Sequence, residues 1–311
     1  MKFTIAIPAY KATFLKECIE SVLDQSYTDF ELLILNDASP ENIKSIVDQF
    51  SDSRINFYEN EKNVGSVHVV DNWNKCLNLA KGEYIICMGD DDKITSNCLE
   101  EYDRLISKYP KYKVFHARTE IIDEESNFSS LQEARPEIES VYSMIWHRWK
   151  GREQFIGDFL FHTETLINDG GFFKLPLAWG SDDITGFIAA SHEGIINSQK
   201  ILFHYRINKS TITNSGSVKE KIKAIDLEEK WLIEFLKIIP VCDLDKKFRI
   251  LLLKEKNKYL IKKKMLTIKF DLLSKGTTRI LYWILKRKQY GISIKLIIGA
   301  YIDFLKSKNY N

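Results

Sequence analysis

The sequence predicts an α/β protein: a doubly wound sheet over roughly the first 110 residues, followed by a basic helical C-terminal region. Three observations carry this. Short runs rich in β-branched residues alternate four times with segments whose apolar side chains recur at helical spacing. One of these runs, Glu83–Met88, leads directly into Gly89-Asp90-Asp91-Asp92, so three carboxylates stand at a strand end. Charge is also split. Residues 217–311 hold 23 Lys and Arg against 10 Asp and Glu, while the remainder holds 22 against 33, although the formal net charge is only +2. Such a division suggests two units that face different partners.

Taken in order, Phe3–Ile7 is the first strand, ended by Pro8, and Leu15, Cys18, Ile19, Val22 and Leu23 mark the first helix. Glu31–Leu35 is a second strand that stops at Asn36-Asp37, and Ile43, Ile46, Val47 and Phe50 line a second helix. Arg54–Tyr58 is a third strand. Val70, Trp73, Leu77 and Ala80 lie on a third helix, with Gly82 placed to end it. Glu83–Met88 is the fourth strand, and Cys98, Tyr102, Leu105 and Ile106 define the helix after it. The pattern then loosens. Lys113–Ala117 and Lys200–Tyr205 read as strands and 123–140 as a polar loop around Pro136. From Val218 onward the chain is helical and basic, with no glycine until Gly276.

The five cysteines, Cys18, Cys76, Cys87, Cys98 and Cys242, are odd in number and form no C-x-x-C pair, so reduced core residues are expected rather than disulfides or a zinc site. No secretory leader is evident, because only five residues separate Lys2 from Pro8. Lys286-Arg287-Lys288 interrupts the best candidate for a spanning helix. A cytoplasmic location is expected, free or against the inner face of the membrane.

Three neighbouring carboxylates disfavour one another's ionised form, and a divalent cation is their simplest counter-charge. A lone acidic triplet is most often a solvated turn. In a doubly wound sheet, however, ligands bind beyond the carboxyl ends of the strands. Asp37 and Asp90–Asp92 both lie just past such ends.

The order of motifs resembles the family 2 glycosyltransferases. It runs Ile5-Ala6-Ile7-Pro8-Ala9-Tyr10, Ser21–Tyr27, Phe30–Ser39 with Asn36-Asp37, Asn63-Val64-Gly65, Asn72, Ala80–Ile85, and then the Asp triplet. The resemblance is dense over residues 1–110 and thinner to about 213. It implies a GT-A nucleotide-diphospho-sugar fold with a mixed sheet over 1–213. Residues 1–110 would form the nucleotide-sugar half and 111–213 the acceptor half, with 214–311 as the helical region. It also implies inverting transfer of a hexosyl or N-acetylhexosaminyl group, assisted by Mn²⁺ or Mg²⁺.

The resemblance gives residues roles. Pro8, Ala9 and Tyr10 would line the nucleoside pocket, Asp37 would accept from the base, and Asn63, Gly65 and Asn72 would complete the donor site. Asp91 and Asp92 match the family's DXD-type pair, one near the ribose and one on the metal, while Asp90 with Asp92 makes a literal D-x-D. Both pairings stay open at this point. Asp182-Asp183 sits where the family places its acidic general-base element, with Asp in place of Glu at the first position. Asp183 is the expected base, with Asp182 beside it. Arg206 and Lys209 lie in the basic, hydroxyl-rich stretch expected over the pyrophosphate. The Gln-x-x-Arg-Trp acceptor motif of other members is not found.

Trp179, four residues before Asp183, is the expected acceptor platform, since sugars stack on indoles; Trp146 and Trp149 are as well explained by core packing. Residues 276–306 combine Tyr282-Trp283-Ile284-Leu285, Lys286-Arg287-Lys288 and Leu296-Ile297-Ile298. They could be a solvated helical face, a dimer surface or a contact with the inner membrane surface. The expected partners are a nucleotide-diphospho-sugar, UDP-linked first, and a saccharide or lipid-linked acceptor of bacterial surface polysaccharide synthesis, with no nucleic acid. Two rivals stand. A nucleotidyltransferase would need a glycine-rich phosphate loop where this chain has Pro8–Thr13. A sugar- or membrane-binding module would keep the acidic cluster only for a structural ion.

Overall fold

Apolar runs become the parallel strands of one sheet, the one at its edge, Ile55–Glu59, being only half-buried. In the computed structural model, which describes residues 1–208 and 217–308, β1 (Phe3–Ala9), β2 (Phe30–Asn36), β3 (Ile55–Glu59) and β4 (Tyr84–Cys87) run parallel in the order β3-β2-β1-β4. Strand β1 continues through Pro8. The Ala9 carbonyl accepts from the Asp37 amide at 3.0 Å, so Ala9 turns its polar backbone toward β2. That of Pro8 faces the other side, just past the last β4 pairing at Ala6–Cys87, where the N–H that proline lacks has no ladder to complete.

The connecting helices are α1 (Leu15–Leu23), α2 (Ile43–Val47), α3 (Val69–Leu79) and α4 (Cys98–Lys108). Leu15, Cys18, Ile19 and Val22 of α1 and Cys98, Leu99, Tyr102 and Leu105 of α4 close a core against Phe3, Ile5, Ile7, Leu32 and Ile34. Helix α3 ends at Leu79 with Ala80 already extended. Gly82 therefore does not terminate it. A Cβ there would lie 2.4 Å from the Thr4 amide nitrogen, so Gly82 is a point of close approach to β1.

The second half of the sheet is mixed. β5 (Lys93–Ile94), β6 (Val114–Ile122), β7 (Phe128–Leu131), β8 (Ile138–Glu139), β9 (Phe159–His162) and β10 (Ile195–Arg206) extend the order to β4-β9-β6-β10-β5, with β7 on β6 and β8 on β10. β9 runs antiparallel to both β4 and β6, while β6 and β10 are parallel. The stretch 123–140, expected as a loop, thus contains two strands. All four residues of β7 are exposed, so no apolar alternation announces it. Helices α5 (Val141–Lys150), α6 (Thr163–Asn168) and α7 (Ser181–Glu193) complete this part.

The chain divides into two compact units, residues 1–174 with 181–208, and 175–180 with the helices from Val218 onward. The latter are α8 (Val218–Phe235), α9 (Asp243–Lys275), α10 (Arg279–Lys286) and α11 (Ile294–Lys308). Buried carboxylates pin them together. Glu228 of α8 accepts from Tyr259 Oη at 2.7 Å and Lys263 Nζ at 2.6 Å of α9. Asp271 of α9 accepts from Trp283 Nε1 and Arg279 Nε, each at 2.9 Å, which fastens α10. Among the described residues no helix is long and apolar enough to cross a membrane. Cys18, Cys76, Cys87 and Cys98 are buried and Cys242 is exposed, all as free thiols.

Candidate active site

Polar side chains of the first unit form three groups, two at strand ends and one at the start of a helix. The first surrounds Asp37. Leaving β2, its carboxylate is buried and accepts from Asn60 Nδ2 at 2.8 Å and the Val64 amide at 3.0 Å on Oδ1, and from Asn63 Nδ2 at 2.9 Å on Oδ2. Asn60 Nδ2 also donates to Asn72 Oδ1 at 2.8 Å, and Lys75 Nζ donates to Asn60 Oδ1. Asn63 and Asn72 therefore converge on Asp37, Asn72 by way of Asn60. Gly65, with φ 75°, opens the 3₁₀ turn Ser66–His68 that carries the chain into α3. Asn60 and Lys75 were not foreseen, because only the folded chain sets a strand-end turn beside the outer face of α3.

The second group is the acidic triplet after β4. Asp90 Oδ2 accepts from the Tyr10 and Lys11 amides, each at 2.7 Å, and so ties the turn after β1 to the triplet. Asp91 Oδ2 accepts from Asn208 Nδ2, and Asp92 Oδ1 accepts from the Arg206 amide at 3.0 Å. The remaining oxygens, Asp91 Oδ1 and Asp92 Oδ2, converge over Gly89. They lie 2.8 and 2.9 Å from where a Cβ would sit on that residue, so only glycine leaves both in place. Burial, and then the charge of Asp91, push the Asp90 carboxyl up to about 6. Asp92 is raised for the same two reasons, and Asp91 is raised by burial against the lowering charge of Lys11.

Arg206 corrects an expectation. Its guanidinium is buried and turned inward. Nε donates to the Asp91 carbonyl at 2.8 Å, Nη1 to the Asp123 and Glu124 carbonyls and Ser126 Oγ, and Nη2 to Glu17 Oε2 at 3.0 Å, with the group 4.3 Å over the Phe14 ring. It braces the acidic turn from behind rather than reaching a phosphate. Lys209 lies outside the described residues. Lys11, not singled out from the sequence, is the cation that most lowers Asp91.

The third group opens α7. Asp182 and Asp183 occupy its first turn, where unpaired amides favour carboxylates. Asp183 is buried, and its Oδ1 accepts from Arg148 Nε at 2.7 Å and Gln154 Nε2 at 2.8 Å. Tyr205 links this group to the second. Its phenol is pushed up by burial and then by Asp92, Asp91 and Asp182, and its ring stacks on Phe155 at 3.7 Å. Trp179 belongs to the second unit, where Lys221 Nζ sits 4.6 Å from its ring centroid.

Would such a site suit a divalent ion? Among the described residues no three His, Cys, Asp or Glu side chains are arranged to hold one alone. Two hard carboxylate oxygens are nevertheless aimed together over Gly89, and burial leaves their charge undercompensated. Mg²⁺ and Mn²⁺ are commonly held by one or two carboxylates with substrate phosphates and water supplying the rest. The residues fit that arrangement, with Asp91 and Asp92 as the holders. Asp90 differs in that one of its oxygens, Oδ2, takes both backbone amides of the turn after β1.

Fold and site together define the class: a GT-A type mixed α/β fold with a helical C-terminal region. The model of the family "Glycosyl transferase family 2" matches residues 4–174, and the chain belongs to that family. A UDP-Glc:alpha-D-GlcNAc-diphosphoundecaprenol beta-1,3-glucosyltransferase, WfgD of Escherichia coli, is 37% identical over 98 residues, which is 31% of this chain and 38% of that protein. Among solved structures, Staphylococcus aureus TarS in complex with UDP-GlcNAc superposes with a TM-score of 0.60 at 16% identity, covering 98% of this chain and 81% of that one. A mannosyltransferase from Pyrobaculum calidifontis in complex with GDP-Man and Mn²⁺ gives 0.57 at 15% identity, covering 99% and 88%. The sequence matches span 32 to 42% of the length of the first curated relatives.

Proposed function

We propose that this chain transfers a hexosyl or N-acetylhexosaminyl group, with inversion, from a nucleotide-diphospho-sugar to a saccharide or lipid-linked acceptor in bacterial surface polysaccharide synthesis. The observation that carries the reading is the convergence of Asp91 Oδ1 and Asp92 Oδ2 over Gly89, at the strand ends beside the Asp37 network. It is supported by the nucleotide-sugar complexes of the two structural neighbours and by the undecaprenol-linked acceptor in the name of the glucosyltransferase relative. UDP is the first donor nucleotide to test. A cytoplasmic location, where nucleotide sugars are made, is part of the proposal.

Asp37 has three donors on its two oxygens and keeps acceptor capacity for a base N–H. Pro8 and Tyr10 form the neighbouring wall, with the Tyr10 amide held to the triplet through Asp90, while Ala9, expected beside them, is packed into the core. A divalent ion on Asp91 and Asp92 would neutralise diphosphate charge and stabilise the departing nucleoside diphosphate. At the other face Asp183 accepts the acceptor hydroxyl's proton as its oxygen bonds to the anomeric carbon and the bond from that carbon to the phosphate oxygen breaks. Arg148 and Gln154 hold Asp183 in one orientation. Asp182 remains the neighbouring candidate.

The test is calorimetric titration of UDP, GDP and dTDP, with and without Mn²⁺. Metal-dependent binding of one nucleotide, lost in Asp92→Ala, is the expected result. No binding of any of them to folded protein would overturn the reading in favour of a binding module.

A further inference from the structure

Helix α11 shows two apolar faces where a helix in a finished core would show one. Ile297, Ala300 and Phe304 are buried, whereas Ile294, Ile298, Ile302 and Leu305 are 48, 53, 47 and 43% exposed. At 3.6 residues per turn the exposed four fall within an arc of about 80°, turned well away from the buried three. Helix α10 repeats the pattern. Leu281 and Leu285, one turn apart, are 62 and 79% exposed, while Trp283 is buried. The Trp283 indole donates to Asp271 inside the helical unit. The outward apolar surface is aliphatic.

Cations border it. Between 276 and 306 stand Lys286, Arg287, Lys288, Lys295 and Lys306, with Asp303 as the only acid, and Arg279 is turned onto Asp271. Lys286 and Lys288 are exposed at and just past the end of α10, and Lys295 and Lys306 fall together along one border of the α11 stripe. A second copy of the chain would bring this surface against itself and set like charges together. An apolar stripe with basic borders instead matches a bilayer whose headgroups are anionic and whose interface accepts aliphatic side chains.

We infer that α10 and α11 form a docking surface for an anionic lipid bilayer, with Leu281, Leu285, Ile294, Ile298, Ile302 and Leu305 entering the interface and the lysines meeting headgroup phosphates. The inference deepens the reading of a lipid-linked acceptor and takes only its purpose from that reading. Membrane docking is measured without donor or turnover, so the two can fail separately.

The experiment is co-sedimentation of the full chain with phosphatidylcholine vesicles, with and without about a third phosphatidylglycerol. Binding is expected to the anionic vesicles only, and to fall steeply as salt rises. Lys286→Glu with Lys288→Glu should weaken it at least tenfold, since each basic residue near the surface contributes roughly fivefold. Leu285→Glu with Ile298→Glu should abolish it, with helical circular dichroism unchanged. No binding to anionic vesicles, or binding indifferent to both pairs, would overturn the inference. A dimer in sedimentation velocity that dissociates in Leu285→Glu with Ile298→Glu, without vesicle binding, would assign the face to a second copy instead.

Discussion

At the scale of single residues, Asp183 is held by side chains from two other segments. Its carboxylate is out of solvent and carries two donors on one oxygen, so it is aimed before any acceptor arrives. Asp183→Asn is expected to reduce transfer by about 10²–10⁴ while nucleotide affinity stays within twofold. Asp182→Asn run in parallel decides between the two carboxylates, because the larger loss marks the base. A second residue-scale effect concerns stability. Burial, then the charge of Arg135, hold His116 at about 4 against an ordinary 6.5. Its folded-state value is depressed, so its contribution is full above pH 6.5 and is lost as the pH falls toward 4. Between pH 7 and pH 5 this residue should account for about 2 kcal/mol of lost unfolding free energy. Urea denaturation at the two pH values, repeated with His116→Gln, should show that difference shrink; an equal loss in both proteins would place the acid sensitivity elsewhere.

At the scale of elements, the site is made where strands stop. The turn after β1, the Asp37 turn after β2 and the triplet after β4 share one edge because three parallel strands end there in register. Asp90 then bonds the first turn to the third. Gly89 is the tightest point of the arrangement, since a methyl group there would push on the two convergent carboxylates. Their side-chain ends can swing aside, so the fold should tolerate the change while the convergence does not. Gly89→Ala is accordingly expected to keep most of the thermal stability and to lose at least tenfold in Mn²⁺-dependent nucleotide affinity. Isothermal titration beside a melting curve tests this, and unchanged affinity would show that the pair is not the ion's seat.

At the scale of the whole molecule, a net charge of +2 conceals an acidic body and a basic tail region. Surface fields act over about a Debye length, roughly 10 Å at 0.1 M salt, so each unit presents its own charge to a charged matrix. The protein should therefore be retained at low salt by both cation and anion exchangers near neutral pH. A molecule with its charges evenly mixed would pass through both. Lys286→Glu with Lys288→Glu should elute earlier from the cation exchanger and later from the anion exchanger.

The strand–helix alternation, the strand-end carboxylates and the basic helices were legible in the sequence because each is local. Periodicity reports burial, and strand ends in a doubly wound sheet mark the binding edge without coordinates. The tertiary structure decided what depends on partners far along the chain. Arg206, 114 residues from Asp92, became an inward brace instead of a phosphate ligand. Asp90 was assigned to the Tyr10–Lys11 turn, and Arg148 and Gln154 were brought to Asp183. Strand β7, solvent-facing throughout, formed only because β6 offered it an edge. Sequence patterns record how each residue meets water, which the chain specifies locally. Which oxygen is left over for a ligand depends on which donors arrive first, and those donors are delivered only by the folded chain.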